Sequence, residues 1–171
     1  MKILDKKQLF AFISCLLFTC FAFASKEPKK IIKGKVVNIS DGDTITVLTK
    51  NNQNKKIRLY GIDAPERKQA YGNLSKKHLT KMVAGKQVEV KIYDTDKYGR
   101  SVGVVSNKKK NINKQMVKDG YAWNYKKYNK LSDRKDYERA ERNARGRKAG
   151  LWKDKKPVNP SRQRRSRKTK Y

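Results

Sequence analysis

Five short runs of this chain read as β-strands, and nothing long enough to be a crossover helix separates the first three. Ile31 to Ile39 carries Ile31, Ile32, Val36, Val37 and Ile39; Thr44 to Thr49 alternates through Ile45, Val47 and Leu48; Lys56 to Ile62 is the third. Asp41-Gly42-Asp43 and Asn51-Asn52-Gln53-Asn54 read as the turns between them, so the first three strands form a meander of two hairpins. Gln87 to Tyr93 alternates through Val88, Val90 and Ile92, and Ser101 to Ser106 is a fifth strand. Consecutive strands without crossovers disfavour a parallel sheet. Five strands are few for an open sheet to bury both faces. The pattern predicts a mainly β domain with appended helices (α+β), built on a five-stranded barrel of the OB type. Such barrels commonly bind nucleic acid across one face.

About three helices accompany the strands. Leu74, His78, Leu79, Met82 and Val83 recur at three- and four-residue intervals, and Gly85 follows as a stop. Asn111 caps a short helix carrying Ile112, Met116 and Val117, closed by Gly120. Ser132 is placed to cap a last helix running to about Ala144, with Glu138 and Glu141 along it, and Gly150-Leu151-Trp152 folds back as an apolar closing element.

The two ends differ from this middle. Lys2, Lys6 and Lys7 precede an almost wholly apolar run, Leu9 to Ala24, which ends in Ala22-Phe23-Ala24. That is the form of a secretory signal peptide cut before Ser25, and the run is shorter than the roughly 20 residues of a spanning helix. Residues 1–24 are therefore expected to be a signal peptide and 25–30 a polar leader, with export to a periplasm or the exterior. Both cysteines, Cys15 and Cys20, fall in the signal, so the mature domain, 31–152, has no disulfide and no thiolate metal site. From Lys153 to Tyr171, Pro157, Pro160 and a run of Arg and Lys leave almost nothing to bury. A disordered basic tail is expected there.

The whole chain has 45 Lys and Arg against 15 Asp and Glu, a net charge of +30. Such a surplus attracts a polyanion, either nucleic acid or an anionic surface. The charge says which partners are drawn in, not what happens to them, and generic solubility accounts for it equally well. The tail offers a contact to anionic surfaces generally. No obligate protein partner is indicated, and a monomer is expected.

Against that basic background three clusters stand out: Asp41-Gly42-Asp43-Thr44, then Arg58-Leu59-Tyr60-Gly61-Ile62-Asp63-Ala64-Pro65-Glu66, then Asp96-Lys97-Tyr98-Gly99-Arg100. Asp43 and Asp63 stand at strand ends, where carboxylates can converge on a hard cation. The only histidine, His78, lies on a helix, so zinc is disfavoured. Two carboxylates are an incomplete cage, to be filled by water and substrate phosphate. Glu66, three residues beyond Asp63, can take a proton from water. Arg58 sits in an otherwise apolar strand, and Arg100 follows a Gly that permits a tight turn. A guanidinium fork matches two phosphate oxygens. Each cluster alone also has an ordinary reading: a hairpin turn, a solvated Glu, a surface Arg.

The ordered set resembles the thermonuclease family, the staphylococcal-nuclease-like secreted nucleases, over about Ile31 to Trp152. The resemblance implies an OB barrel with three helices that hydrolyses DNA and RNA, as endonuclease or exonuclease, with Ca²⁺ rather than Mg²⁺, and leaves 3′-phosphate ends. Carried over by motif, Asp43 and Asp63 would be metal ligands, with the backbone carbonyl of Ala64, where the best-known member has Thr. Asp41 would support them. Arg58 and Arg100 would hold phosphate and Glu66 would be the base. Lys97 and Tyr98 would contact a terminal phosphate, and Tyr125 or Tyr128 would stack on a base. The loop from Glu66 to Tyr71 is shorter than in the best-known member, and the aromatic pair after Gly120 is shifted. Tyr121 and Trp123 are expected to pack in the core. The competing reading is a non-catalytic OB-fold protein that only binds nucleic acid; such proteins lose the carboxylates or arginines that this chain keeps.

Overall fold

The computed structural model describes residues 26–168. The expected signal peptide over 1–24 and the cut before Ser25 lie outside the described residues, as do the last three residues of the tail. Eight strands are described: β1 (Lys30–Ile39), β2 (Thr44–Thr49), β3 (Asn54–Leu59), β4 (Ile62–Asp63), β5 (Gln87–Thr95), β6 (Ser101–Asn107), β7 (Lys110–Asn111) and β8 (Trp123–Asn124). Four α-helices accompany them: α1 (Gly72–Val83), α2 (Ile112–Lys118), α3 (Arg134–Gly146) and α4 (Pro160–Lys168), with a 3₁₀ turn at Gly150–Lys153 between the last two.

The long strands form one sheet in the order β3-β2-β1-β5-β6-β7, closed by pairing of β3 with β6. Every pairing is antiparallel except β3 with β6, which is parallel. Closure removes both edges of the five-stranded core, and the OB-type barrel with appended helices is what the alternating runs predict. Ile45, Val47, Ile57, Leu59, Val90 and Val105 fill its interior. Leu79 and Val83 of α1 and Met116 and Val117 of α2 are fully buried against it. At about 1.5–3 kcal/mol per buried side chain, these contacts are the main stabilising term in a domain without disulfides.

Several boundaries differ from the sequence expectation for local reasons. The third strand ends at Leu59; the chain turns at Tyr60-Gly61 and resumes as the two-residue β4, which pairs with β8. The buried face of α1 is Gly72, Ser75, Leu79 and Val83, and Leu74 is 51% exposed. Ser75 takes the core position because its hydroxyl donates to the Tyr121 carbonyl at 2.6 Å. Asn111 caps α2 as expected, accepting from the Lys114 N–H at 2.9 Å. The residue ahead of α3 is Asp133 rather than Ser132. Tyr121 packs against the main core, and Trp123 meets Trp152 edge-on at 4.4 Å.

The tail requires the largest correction. Residues 160–168 are helical rather than disordered. Pro160, buried, opens the helix, and the Asn159 Oδ1 accepts from the Ser161 N–H at 2.9 Å and from its hydroxyl at 2.6 Å. A capping Asn before a first-turn Pro is a recognisable start signal. Gln69 donates its side-chain amide to the Val158 carbonyl, fixing the segment that leads into α4.

One buried polar residue ties the barrel to the site above it. The Asn113 Oδ1 accepts from the Val105 N–H at 2.9 Å, and its Nδ2 donates to the carbonyls of Tyr60 (2.9 Å) and Gly103 (3.1 Å). It thereby anchors the Tyr60-Gly61 turn that delivers Asp63.

Candidate active site

The turn between β1 and β2 places Asp43. Asp41 Oδ1 accepts from the Asp43 N–H at 3.0 Å, closing the turn on itself. Gly42 lies so close to α1 that a Cβ there would stand 1.9 Å from the Ser75 hydroxyl and 2.8 Å from the Ala64 Cβ. Only glycine fits. The carboxylate of Asp43 then points inward. Its Oδ2 accepts from the Ala64 N–H at 2.8 Å, and its Oδ1 accepts from the Thr44 hydroxyl at 3.0 Å. Asp63, at the end of β4, is 1% exposed.

Arg58 joins the two acids. Its Nη1 is 3.0 Å from Asp43 Oδ2 and its Nη2 is 3.1 Å from Asp63 Oδ1. Nη1 also donates to the carbonyls of Ile62 (3.1 Å) and Leu59 (3.3 Å). A charge in an apolar strand is explained: it faces both carboxylates. Burial pushes both acids up. Asp43 rises from the ordinary 3.8 to about 7, with the Arg58 guanidinium pulling the other way. Asp63 is also raised by burial, against Arg164 and Arg58.

Arg100 reaches the same place from another turn. Gly99 adopts φ 75°, which lets the chain reverse between Asp96 and Arg100. Asp96 organises that reversal: its Oδ1 accepts from the N–H groups of Tyr98 (2.9 Å) and Arg100 (3.0 Å), and its Oδ2 accepts from Arg100 Nε at 2.7 Å. Burial acts to raise Asp96, but these bonds outweigh it and hold the carboxyl below its usual range. Arg100 Nη1 lies 3.5 Å from the Thr44 hydroxyl that donates to Asp43. The two arginines therefore flank one carboxylate pair.

Glu66 lies beside them, its side chain 36% exposed and its N–H donating to Gln69 Oε1 at 3.1 Å. A cleft of about 870 Å³ opens over the group and is lined by Asp41, Asp43, Arg58, Ala64, Glu66 and Arg100. Lys97, Tyr98, Tyr125 and Tyr128 line it too. Tyr98 is 70% exposed, with the Arg100 guanidinium 5.4 Å from its ring centre. Tyr125 and Tyr128 form a tilted pair with ring centres 4.6 Å apart. Every residue singled out by the sequence thus lines one cleft or, like Asp63, bonds to residues that do.

Two participants escaped the sequence reading. Asp96 positions Arg100, and its signal is legible: an Asp four residues before an Arg across a glycine turn. Arg164 of α4 sits among the acids, with Nη2 donating to Asp63 Oδ1 and Oδ2 at 3.0 and 2.9 Å and Nη1 to Glu66 Oε1 at 2.6 Å. His78, which had no assigned role, lies elsewhere: its Nε2 is 2.8 Å from Asp119 Oδ2 and its ring stacks on Tyr121 at 4.2 Å.

Among the described residues no three or more His, Cys, Asp or Glu side chains group as an ion-holding cluster. The donors that converge are two carboxylates with backbone oxygens nearby. Both carboxylates are raised by burial, the condition in which added positive charge is most favourable. Oxygen donors of this kind suit Ca²⁺ or Mg²⁺ rather than zinc.

Comparison with known proteins agrees with this geometry. Residues 56–154 match the family described as staphylococcal nuclease homologue; that stretch holds Arg58, Asp63, Glu66 and Arg100, while Asp43 precedes it and joins through the β1–β2 turn. An uncharacterized endonuclease of Haemophilus influenzae is 45% identical over 153 residues, covering 90% of this chain and 83% of that protein. A micrococcal nuclease of Shigella flexneri is 40% identical over 143 residues, 78% of this chain and 81% of its own length. Protein ParB of Escherichia coli is 40% identical over 138 residues, 75% and 77% of the two chains. With barrel, motif order and relatives in agreement, this chain belongs to the staphylococcal nuclease family.

Proposed function

We propose that this chain is an exported, divalent-metal-dependent nuclease that hydrolyses phosphodiester bonds of DNA and RNA without strong sequence preference. One observation carries the reading: Asp43 and Asp63 meet on Arg58, with Arg100 one hydroxyl away and Glu66 in the same cleft. A binding protein needs cations and aromatic rings, but it has no use for two buried acids whose charge costs stability.

Asp43, Asp63 and the Ala64 carbonyl are the groups that would hold the metal, with Asp41 bracing the turn beneath. When bound, Ca²⁺ would supply fixed positive charge against the phosphate and the charge that develops on it. Glu66 takes a proton from a water molecule as the water oxygen forms its bond to phosphorus. The bond from phosphorus to the 5′-oxygen breaks opposite that attack, leaving a 3′-phosphate, and the departing oxygen takes up a proton from solvent. Arg100, held by Asp96 through Nε, keeps its Nη groups for the non-bridging oxygens. Arg58, shared here between two acids, turns its charge to phosphate when those acids are otherwise engaged. Preorganised cations aimed at developing charge are usually the largest catalytic contribution. Lys97 and Tyr98 suit a terminal phosphate at the cleft's edge. Tyr125 and Tyr128 offer stacking faces that accept any base, which gives breadth of substrate. The protein acts as a monomer in this scheme, since all these groups come from one chain.

The test is digestion of plasmid DNA and of RNA by the mature protein with Ca²⁺, with Mg²⁺ and with chelator. Glu66→Gln should lose about 10²–10⁴-fold in turnover. Wild-type rates in that variant would strike Glu66 as the base, wild-type rates in chelator would strike the metal, and no digestion under any condition would leave only the binding function.

A further inference from the structure

The helix α4 lies across the cleft, and its contacts are not those of a passive tail. Arg164 takes both carboxylate oxygens of Asp63 with one nitrogen and Glu66 Oε1 with the other. These are the acids that the nuclease reading assigns to the metal and to the attacking water. A carboxylate with a guanidinium across both oxygens must give up that bond before a cation can take the same face, and a Glu held at 2.6 Å by a guanidinium is a poorer base.

The same helix is built to let go. It is nine residues long, and all its charged residues are basic. Helices this short are marginal in water on their own, and like charges three and four residues apart oppose it further. Its order therefore rests on docking: the Asn159 cap, buried Pro160, the Gln69 bond to Val158 and the Arg164 fork. A cationic helix held by its N-terminal end and one mid-helix arginine is what a polyanion would draw away, because phosphates compete directly for its arginines.

We propose that α4 is a self-blocking strap: Arg164 competes with the divalent ion for Asp63 and with the attacking water for Glu66, and nucleic acid releases it. The proposal rests on the nuclease reading for what the acids do. Its consequence is that free protein binds Ca²⁺ weakly and the site opens where substrate is present. Linkage is reciprocal, so Ca²⁺ must in turn loosen the strap.

Calorimetric titration of Ca²⁺ into the full mature chain tests it, with Arg164→Gln, with Arg162→Gln as a control that removes the same charge from an exposed position of α4, and with Arg164→Lys. Arg164→Gln should bind Ca²⁺ about tenfold more tightly or better, the effect of losing a charge-assisted competitor. Arg162→Gln should stay near wild type and Arg164→Lys should fall between. Equal affinity in wild type and Arg164→Gln, whether measurable in both or nil in both, overturns the strap. So does an equal gain in Arg162→Gln, which would show only general electrostatics. Hydrogen exchange in chelator gives a readout without metal: a single-stranded oligonucleotide should speed exchange across 160–168, and unchanged protection overturns release by substrate. Plasmid digestion by wild type against Glu66→Gln judges the nuclease reading separately. Cleavage lost in Glu66→Gln upholds that reading even where the titration refutes the strap.

Discussion

Replacing Asp43 with Asn should make the protein more stable in chelator while depriving it of a divalent ion. Asp43 is 6% exposed, and burial raises its carboxyl from 3.8 to about 7. At about 1.4 kcal/mol per pH unit, the ionised form costs the fold about 4 kcal/mol at most above neutral pH. Asn keeps the shape and still accepts from the Ala64 N–H. It gives up the charge opposite Arg58, but Arg58 retains Asp63 at 3.1 Å and two carbonyls, so no guanidinium is stranded. Breaking a buried pair is severe chiefly when it leaves a lone charge. A net gain of about 1–2 kcal/mol remains, worth roughly 3–6 °C in a domain of this size.

The pH dependence carries the sharper test. The folded carboxyl lies above its unfolded value, so between 3.8 and about 7 the folded state binds more protons than the unfolded one. Stability from this group is present in full below 3.8 and is lost as pH rises through 7. Asn cannot titrate. The advantage of Asp43→Asn should therefore be largest near pH 8 and shrink toward pH 4. Thermal melts followed by circular dichroism in chelator across that range measure it. Adding Ca²⁺ should raise the wild-type Tm and leave the variant unmoved. A variant that melts below wild type at pH 8, on a curve parallel to it, refutes the reasoning.

Three further outcomes follow from the same contacts. Asp96→Ala removes the group that holds Arg100 Nε and should lower turnover about 10²-fold through misplacement, with a Tm loss of a few degrees from the turn bonds that go with it; an unaltered rate on plasmid DNA would show that Arg100 needs no support. Asn113→Leu takes the side-chain partner from the Val105 N–H and the Tyr60 carbonyl, while the Gly103 carbonyl keeps the Tyr60 N–H at 2.8 Å, and should cost about 2–4 kcal/mol in urea denaturation. Asp119 is pushed up by burial, but its bonds from His78 and Gln115 win and hold it below 3.8. Its contribution is present above 3.8 and lost as pH falls through its lowered value. Asp119→Asn should flatten the fall of Tm below pH 4, and an unchanged acid limb would contradict the pairing.

Much of this was legible because its signals are local. Half-buried strands announce themselves by alternation, and β2 and the start of β5 begin where the pattern says. Asp41, Gly42 and Asp43 are adjacent, and Asp63, Pro65 and Glu66 nearly so, so each cluster could be weighed as a unit. What local pattern did not show was direction. Leu74 fits the helical repeat as well as Ser75 does, and only the approach of Gly42 and the Tyr121 carbonyl decides which is buried. Ile62 continues the apolar run of β3, yet the turn at Tyr60-Gly61 sends it to pair with Asn124.

The tail shows the limit most clearly, because two signals there conflict. Composition argues for disorder: no apolar run, two prolines and repeated cations. Local chemistry argues for a helix start at Asn159-Pro160. Composition prevails when a segment has only itself to pack against, since a short basic helix cannot offset its own ordering entropy. Here the offset comes from acids 98 and 101 residues away in sequence. Those acids carry an electrostatic cost of their own, because burial raises Asp63 and leaves it in want of positive charge. Arg58 meets part of that want, and Arg164 meets more. A buried acid pair is thus an open binding site for whatever cation arrives first, and a chain with so many arginines carries candidates within itself. On this argument the order of α4 should track the charge of the site: Asp63→Asn with Glu66→Gln should release residues 160–168 to rapid hydrogen exchange even without nucleic acid. Protection retained in that double variant would mean that the cap and Pro160 hold the helix alone, and that the acids have no part in ordering it.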